Sequence, residues 1–238
     1  FVKIKRKPEV DKINALKSIW DGFDFTYLLN ILLSVIPALV CITLHGLSHG
    51  FVAYKLGDDT AKNAGRLTLN PIKHLDIMGL IMMVVFHFGW AKPVPVNMMN
   101  FRHPKRGMAI TALAGPASNL VLACVVLFLR GLITLPLAKL SWGAEVLQLF
   151  DTTAYLSICL GLFNLIPIPP MDGSKVLFAL LPDRIYMQLM RYEKYGMLLV
   201  LLVMLSGTVT AKLNDAAYFI FDKLFVIARA GFDLVNLL

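Results

Sequence analysis

Two histidines and one aspartate are the residues in this sequence best suited to hold a metal ion. His45 and His49 lie four positions apart, so on a helix their side chains are about 40° apart in rotation and about 6 Å apart along the axis. Both imidazoles can therefore reach one ion. Asp172 offers a third ligand, since two histidines, a carboxylate and a water molecule form a catalytic zinc set. Two ordinary features explain the same residues separately: a hydrogen-bonded pair of core histidines, and an Asp172–Gly173 turn at a helix end.

The residue after His45 differs from the one that a zinc protease of the H-E-x-x-H type requires. The glutamate of that motif is the general base, and Gly46 occupies its position here. Residues 46–50 instead match G-x-S-x-G, the nucleophile elbow of hydrolases. That elbow needs a strand before a sharp turn, whereas the surrounding run is long, apolar and helical in pattern. Ser48 is therefore interpreted as a small packing residue between helices.

The composition indicates that these residues are carried by a membrane protein. Of 238 residues, 58% are hydrophobic and only 16% are charged, against roughly 45–50% and about 25% in soluble domains. This excludes a disordered chain, a nucleic-acid-binding tail and an ordinary cytosolic enzyme. The net charge of +8 is interpreted as basic loops at lipid head groups rather than as a nucleic-acid surface. Because a membrane helix needs about 20 apolar residues, the chain has room for about four to six spans.

Five apolar runs follow a basic N-terminal surface segment at residues 1–24, and residues 25–212 are predicted to form one membrane-embedded core. The last segment, 213–238, has charged residues spaced about seven apart between apolar ones, which predicts an amphipathic helix in the interface or against the bundle. Run B is short for a span, and the prolines after it force an extended backbone. The runs are A (25–54), B (77–90), C (108–135), D (146–168) and E (195–209).

The motifs, taken together, resemble those of the site-2 protease family of intramembrane zinc metalloproteases. His45 and His49 match the family's H-E-x-x-H histidines, and Asn164, Pro167, Asp172 and Gly173 match its N-x-x-P-x-x-x-x-D-G motif. Further stretches look like the compact bacterial branch without a PDZ domain. These are residues 56–58, 65–71, 89–96 and 114–116, with Asn119.

This resemblance implies an all-α integral membrane protein, a helical bundle with a re-entrant or strand-like segment near the active site. It implies one Zn²⁺ per chain held by His45, His49 and Asp172, and a membrane-anchored protein or peptide as substrate. It also implies a bacterial plasma membrane with the site toward the cytosol, although loop charge does not orient the bundle. A homo-oligomer stays open. The residues expected to line the site or bind substrate are Asn119, Asn164, Pro167, Pro93, Val94 and Pro95.

The metal site constrains the topology. The two histidines lie near the end of run A, and Asp172 follows run D. These three residues can bind one metal ion only if A and D cross the membrane in the same direction. Run B must then enter and return, which places residues 92–96 at the site entrance as an edge for strand addition by an unwound substrate. His74 and His103 are interpreted as loop or interface residues, and His87 as a residue that can approach the site from run B.

Gly46 leaves two possible functions, a weakened protease and a non-catalytic protein. Without a general base, the chain is expected to bind zinc and substrate and to cleave slowly or not at all. The alternative is a non-catalytic pseudoprotease or membrane scaffold, which explains Gly46 directly but not the retention of three ligands. A zinc transporter is disfavoured, because its polar residues would continue through several helices and runs C and E are almost purely apolar.

Overall fold

The structure is a computed structural model that describes the backbone of residues 25–79, 90–205 and 207–237. Side chains are described from residue 35 onward within these ranges, except at 190–195 and 205. The predictions for residues 1–24, for most of run B and for His87 therefore lie outside the described residues. The chain divides into two compact units, residues 1–35 and 36–238, and the packing and the site described below belong to the second.

Within the described residues the secondary structure is helical, with no β-strand. Short 3-10 turns lie at Pro71–His74 and Met98–Asn100, and one isolated antiparallel bridge joins Leu75 to Ala91. The α-helices are α1 (Phe25–Lys55), α2 (Thr60–Asn63), α3 (Pro104–Leu137), α4 (Gly143–Asn164), α5 (Asp172–Ala179), α6 (Asp183–Leu205) and α7 (Thr208–Asn236).

Three of the described helices are long and apolar enough to cross a membrane. They are the part of α1 from Val35 to Lys55, then α3 and α4. A fourth crossing results if Gly196–Met204 and Thr208–Asn236, which meet at an angle of 79°, together form one bent span. The prediction of an all-α membrane protein is confirmed. Runs A, C and D correspond to α1, α3 and α4, while run E is the second half of α6.

Contacts between the spans fix their relative directions. In the middle of the bundle, Cys41 of α1 lies with its Sγ 3.5 Å from the carbonyl oxygen of Thr153 in α4. Toward one end, Arg130 of α3 forms an ion pair with Asp151 near the start of α4. At the other end, His49 of α1 reaches Thr111 in the first part of α3. Helices α1 and α4 therefore run in the same direction, and α3 runs against both.

Helix α7 packs along the bundle. Gly131 of α3 and Gly231 of α7 let the two backbones approach so closely that a β-carbon at either position would overlap the opposite main chain. Small residues at such crossings are typical of membrane helix pairs. The guanidinium of Arg130 lies 4.9 Å from the centre of the Phe225 ring. The buried core at this crossing contains Ala123, Val126, Leu127, Ala154, Ile158, Ala217 and Ala228.

Candidate metal centre

Three side-chain atoms converge where the ends of α1 and α4 meet the first part of α3. His45 Nε2 and His49 Nε2 lie 3.2 and 3.1 Å from Asp172 Oδ2, and the two nitrogens are 3.0 Å apart. Asp172 is buried and is the first residue of α5 rather than part of a turn at the end of α4. An acidic residue is favoured there by the helix dipole. The structure thus brings the three predicted ligands to one point.

The second nitrogen of each imidazole faces a polar group that sets the ring's tautomer. His49 Nδ1 lies 2.7 Å from the carbonyl oxygen of Thr111. A carbonyl can only accept, so Nδ1 carries the proton and Nε2 keeps its lone pair. His45 Nδ1 lies 3.3 Å from Nδ2 of Asn119, whose buried Oδ1 has no partner. Because the two ends of an amide are interchangeable assignments, turning it lets Oδ1 accept from His45 Nδ1–H and leaves His45 Nε2 as an acceptor.

With these tautomers, the centre consists of three electron-pair donors that face one another. In these tautomers neither imidazole donates to the buried Asp172 Oδ2, although both Nε2 atoms lie within 3.2 Å of it, and no other donor is present among the described residues. Lone pairs at about 3 Å repel each other unless a cation lies between them, and burial away from water increases the cost. Ligands at 2.0–2.2 Å in a tetrahedral zinc site are about 3.3–3.6 Å apart, a few tenths of an ångström more than the 3.0–3.2 Å here. The donor set therefore fits a zinc ion.

Gly115 lies directly against both imidazoles. A β-carbon at this position would be 2.5 Å from Cε1 of His45 and 2.5 Å from Nε2 of His49. Any side chain would therefore enter the space where the ligand atoms meet. This close approach explains the glycine in the Ala114–Gly115–Pro116 stretch.

The serine between the histidines is not placed as a nucleophile. Residues 46–50 lie within α1, with no strand before them. Ser48 donates its hydroxyl proton to the carbonyl oxygen of Leu44 at 2.7 Å, within its own helix. Gly46 faces the segment that follows α2 and the extended segment beyond it. This geometry excludes the nucleophile elbow.

A cavity of about 690 Å³ opens beside the three converging atoms. Its wall includes Gly46, Asn164, Pro93 and Val94. Among the other residues named from the sequence, Asn119 lies behind His45 instead, and Pro95 and Pro167 are absent from the lining. The lining also contains residues that were not singled out for the site, including His74, Met108, Lys175 and Met197.

His74 lies in the wall of this cavity, whereas the sequence suggested only a loop or interface residue. It lies in the turn Pro71–His74, as the loop interpretation expects, but its side chain is only 1% exposed and lines the cavity. The available signal was a histidine three residues after Pro71 of the turn-forming pair Asn70–Pro71.

The extended segment 91–97 is fixed at both of its ends. Lys92 donates its N–H to the carbonyl oxygen of His74 at 2.9 Å, and its own carbonyl accepts from Nη2 of Arg66 at 2.6 Å. At the far end, Asn97 donates its N–H to Oδ2 of Asp58 at 2.7 Å. Between these anchors lie Pro93 and Pro95, which favour extended backbone. The segment is thus held as one wall of the cavity.

Asp58 is the anchor with the most partners. Its buried carboxylate accepts hydrogen bonds from the backbone and side chain of Thr60, from the backbone of Asn97 and from the side-chain amide of Asn100. Burial alone would raise the pKa of this carboxyl group. The hydrogen bonds favour the ionised form more strongly, so the pKa lies below its ordinary value of 3.8.

Replacing Asp58 with Asn is expected to loosen the extended segment. Hydrogen bonds to a charged acceptor contribute about 1.5–3 kcal/mol, so we expect a loss of stability of this order and faster hydrogen exchange at residues 92–97. Because the folded pKa is the lower one, Asp58 stabilises the fold above the unfolded pKa and loses this effect as the pH falls through the folded pKa. The neighbouring Asp59 is exposed and forms no side-chain capping bond, so Asp59→Asn is the matched control. Equal exchange in both variants would contradict the anchoring role.

The three converging donor atoms, beside a cavity and between helices long and apolar enough to cross a membrane, form a candidate metal centre in a helical membrane protein. The comparisons with known proteins agree. The family model described as "Peptidase family M50" matches residues 129–207 of this chain, a stretch that includes Asp172. The chain belongs to this family, that of the site-2 proteases.

Relatives that align with most of this chain are named as putative zinc metalloproteases. The protein named "Putative zinc metalloprotease YwhC" of Bacillus subtilis is 43% identical over 176 residues, which are 72% of this chain and 80% of that protein. Two proteins with the same style of name, Rip2 of Mycolicibacterium smegmatis and of Mycobacterium tuberculosis, are 30% and 28% identical over 77% of this chain and 71% of their own length. No solved structure matches this chain.

Proposed function

We propose that this chain is a zinc-dependent protease of transmembrane segments whose catalytic step is weakened by Gly46. The observation that carries the proposal is the meeting of three electron-pair donors, His45 Nε2, His49 Nε2 and Asp172 Oδ2, within 3.0–3.2 Å of one another. These residues would hold one zinc ion per chain. Asn119 and the carbonyl of Thr111 would orient the two imidazoles, as outer partners of metal-bound histidines usually do.

The chemistry divides between the ion and the chain. Bound zinc would supply a Lewis acid that polarises the scissile carbonyl and lowers the pKa of a coordinated water molecule. The extended segment 91–97 would hold an unwound stretch of substrate by strand addition, next to the centre. The buried position of the ligands restricts access to water. At Gly46, where the motif has its general base, the chain has no side chain to receive a proton.

The substrates that fit this site are membrane-anchored proteins or peptides with a segment that can unwind near the end of α1. We place the protein in a bacterial plasma membrane with the metal centre toward the cytosolic side. The size of the cavity, about 690 Å³, is enough for a few residues of an extended chain. The relatives' names as zinc metalloproteases support the reaction class.

A second function is favoured by Gly46 itself: a pseudoprotease or scaffold that binds zinc and a membrane partner without cutting it. The same ligand set would then stabilise the bundle, since ion binding to the folded state alone adds to its stability. The two functions predict the same metal content and differ in turnover.

The proposal is tested by metal analysis and a cleavage assay on the purified full chain in detergent. We expect about one zinc per chain, as the three-ligand set predicts, and slow cleavage of a reporter transmembrane segment that a zinc chelator stops. Zinc without cleavage, even at long incubation, would favour the scaffold. A folded sample that takes up no metal would overturn both.

A further inference from the structure

His74 lies against the position of the absent glutamate. If Gly46 carried a β-carbon, the nearest heavy atom outside its own stretch of helix would be Nδ1 of His74, at 2.9 Å, followed by Cγ2 of Val94 at 3.4 Å. The imidazole is buried and forms part of the wall of the cavity that also contains the three converging ligand atoms. A titratable ring thus fills the space into which a side chain at position 46 would project.

The tautomer of His74 follows from its other nitrogen. Nε2 lies 2.9 Å from the carbonyl oxygen of Thr68, which can only accept, so Nε2 carries the ring proton. In the neutral ring Nδ1 is then an acceptor with a lone pair, and it is the nitrogen that faces Gly46. The backbone oxygen of His74 accepts from the N–H of Lys92. The ring is thereby held between the loop after α2 and the extended segment.

We propose that His74 is the proton acceptor of this chain, with Nδ1 acting from the space that a residue-46 side chain would use. This inference rests on the proposed function and deepens it, because it gives the Gly46 chain a route to slow hydrolysis. The arrangement has the parts that a general base requires: a ring nitrogen that is an acceptor in the neutral form and lines the same cavity as the three donor atoms, and a partner that fixes the ring.

The proposed step balances as follows. The oxygen of a water molecule bonds to the scissile carbonyl carbon while one of its protons passes to Nδ1 of His74. The imidazolium keeps its Nε2–H bond to Thr68, which stabilises the positive charge. When the carbon–nitrogen bond breaks, Nδ1 gives the proton to the leaving nitrogen, which departs as an amine. The other product is a carboxylic acid, and His74 returns to its neutral form.

The geometry also makes His74 and a side chain at position 46 mutually dependent. A β-carbon at 2.9 Å from Nδ1 forces the ring to move, so a glutamate there would displace the imidazole from its present place and take over as acceptor. His74 should therefore matter for turnover when residue 46 is glycine and matter much less when it is glutamate. A purely structural histidine would affect both backgrounds equally.

The test compares four full-length proteins: the parent, His74→Gln, Gly46→Glu and the double variant. Glutamine retains an N–H that can donate to Thr68 but has no basic nitrogen. We expect His74→Gln to lower kcat of the parent by about 10²-fold, the lower end of a general base's effect, with KM and zinc content unchanged. In the Gly46→Glu background we expect a loss of less than about threefold, since the carboxylate then carries the proton.

His103→Gln is the matched control, because His103 is exposed and lies outside the cavity lining; we expect parent kinetics. The proposal is overturned if His74→Gln lowers kcat equally in both backgrounds, leaves it unchanged in the parent, or if the zinc-loaded parent shows no cleavage. The first two outcomes leave zinc-dependent cleavage in place and overturn this inference alone, whereas the third also overturns the proposed protease function. If His74→Gln is unstable, His74→Asn repeats the comparison.

Discussion

Replacing Gly46 with Glu is expected to raise the rate of substrate cleavage by up to about 10²-fold, because a positioned general base contributes about 10²–10⁴-fold and His74 supplies the lower end of that range in the parent. Position 46 lies one residue from the proposed ligand His45 on α1 and faces the cavity, so a carboxylate there can receive the proton of the attacking water. The helix also gains about 1 kcal/mol from the loss of a glycine in its interior. The measurement is kcat on a reporter transmembrane segment, with and without a zinc chelator.

This substitution crowds two neighbouring side chains. The new β-carbon would lie 2.9 Å from Nδ1 of His74 and 3.4 Å from Cγ2 of Val94, so the imidazole must move away from it. Gly46→Gln makes the same steric demand without a base and is the matched control. If Gln accelerates cleavage as much as Glu, the gain comes from packing; if neither the parent nor either variant cleaves while zinc is bound, the chain is a scaffold.

Replacing Asp172 with Ala is expected to reduce bound zinc from about one ion per chain to nearly none. The change removes one of three ligands from a centre in which the remaining two nitrogens lie 3.0 Å apart. Loss of an outer partner alone typically costs 10–100-fold in metal affinity, so loss of a direct ligand should cost at least about 10²-fold. Zinc content after dialysis against a weak chelator measures the effect, and cleavage should disappear with the metal.

The matched control is Asp183→Asn. Asp183 also begins a helix, but its side chain is 87% exposed and pairs with Lys105, so zinc content should stay at the parent level. Ala rather than Asn is the informative change at 172, since an amide oxygen can still coordinate weakly. Full zinc retention in Asp172→Ala would show that the ion, if present, is held elsewhere.

The helical membrane fold was predictable because lipid imposes a strong pattern on sequence. Runs A, C and D, each of more than 20 residues, correspond closely to α1, α3 and α4, since a span must present apolar side chains over its full length. Hydropathy is less informative outside the spans. Helix α6 begins at Asp183, twelve residues before run E, because its first turns carry charged residues that a helix at the membrane surface tolerates.

The C-terminal segment shows a related limit. The spacing of charges predicted an amphipathic helix over 213–238, and left open whether it lies in the interface or on the bundle. The structure begins this helix at Thr208 and packs it on α3 through Gly131 and Gly231. A pattern of apolar residues identifies the face that is buried but not its partner. The two glycines, which fix the partner, are separated by 100 positions in sequence.

The candidate site was accessible from the sequence only in part. The spacing of His45 and His49 on one helix follows from helix geometry, and a family motif linked them to Asp172. The position of His74 beside Gly46 depends on how the loop after α2 folds back onto α1, which no local pattern encodes. Asp58 was noted only as part of a polar turn, and its hydrogen bonds to Asn97 and Asn100 require that segments about 40 residues apart come together.

The two prolines in the extended segment limit how a second chain can pair with it through backbone hydrogen bonds. Proline has no N–H, so between Lys92 and Asn97 the backbone offers two donors, at Val94 and Val96. At about 0.5–1.5 kcal/mol for each hydrogen bond, such an edge supplies a few kcal/mol at most. These donors are two residues apart. If a bound substrate strand changes register by one residue, every one of its side chains turns to the opposite face, whereas a change of two residues keeps the same faces. Any cutting positions within one substrate should therefore share the same parity.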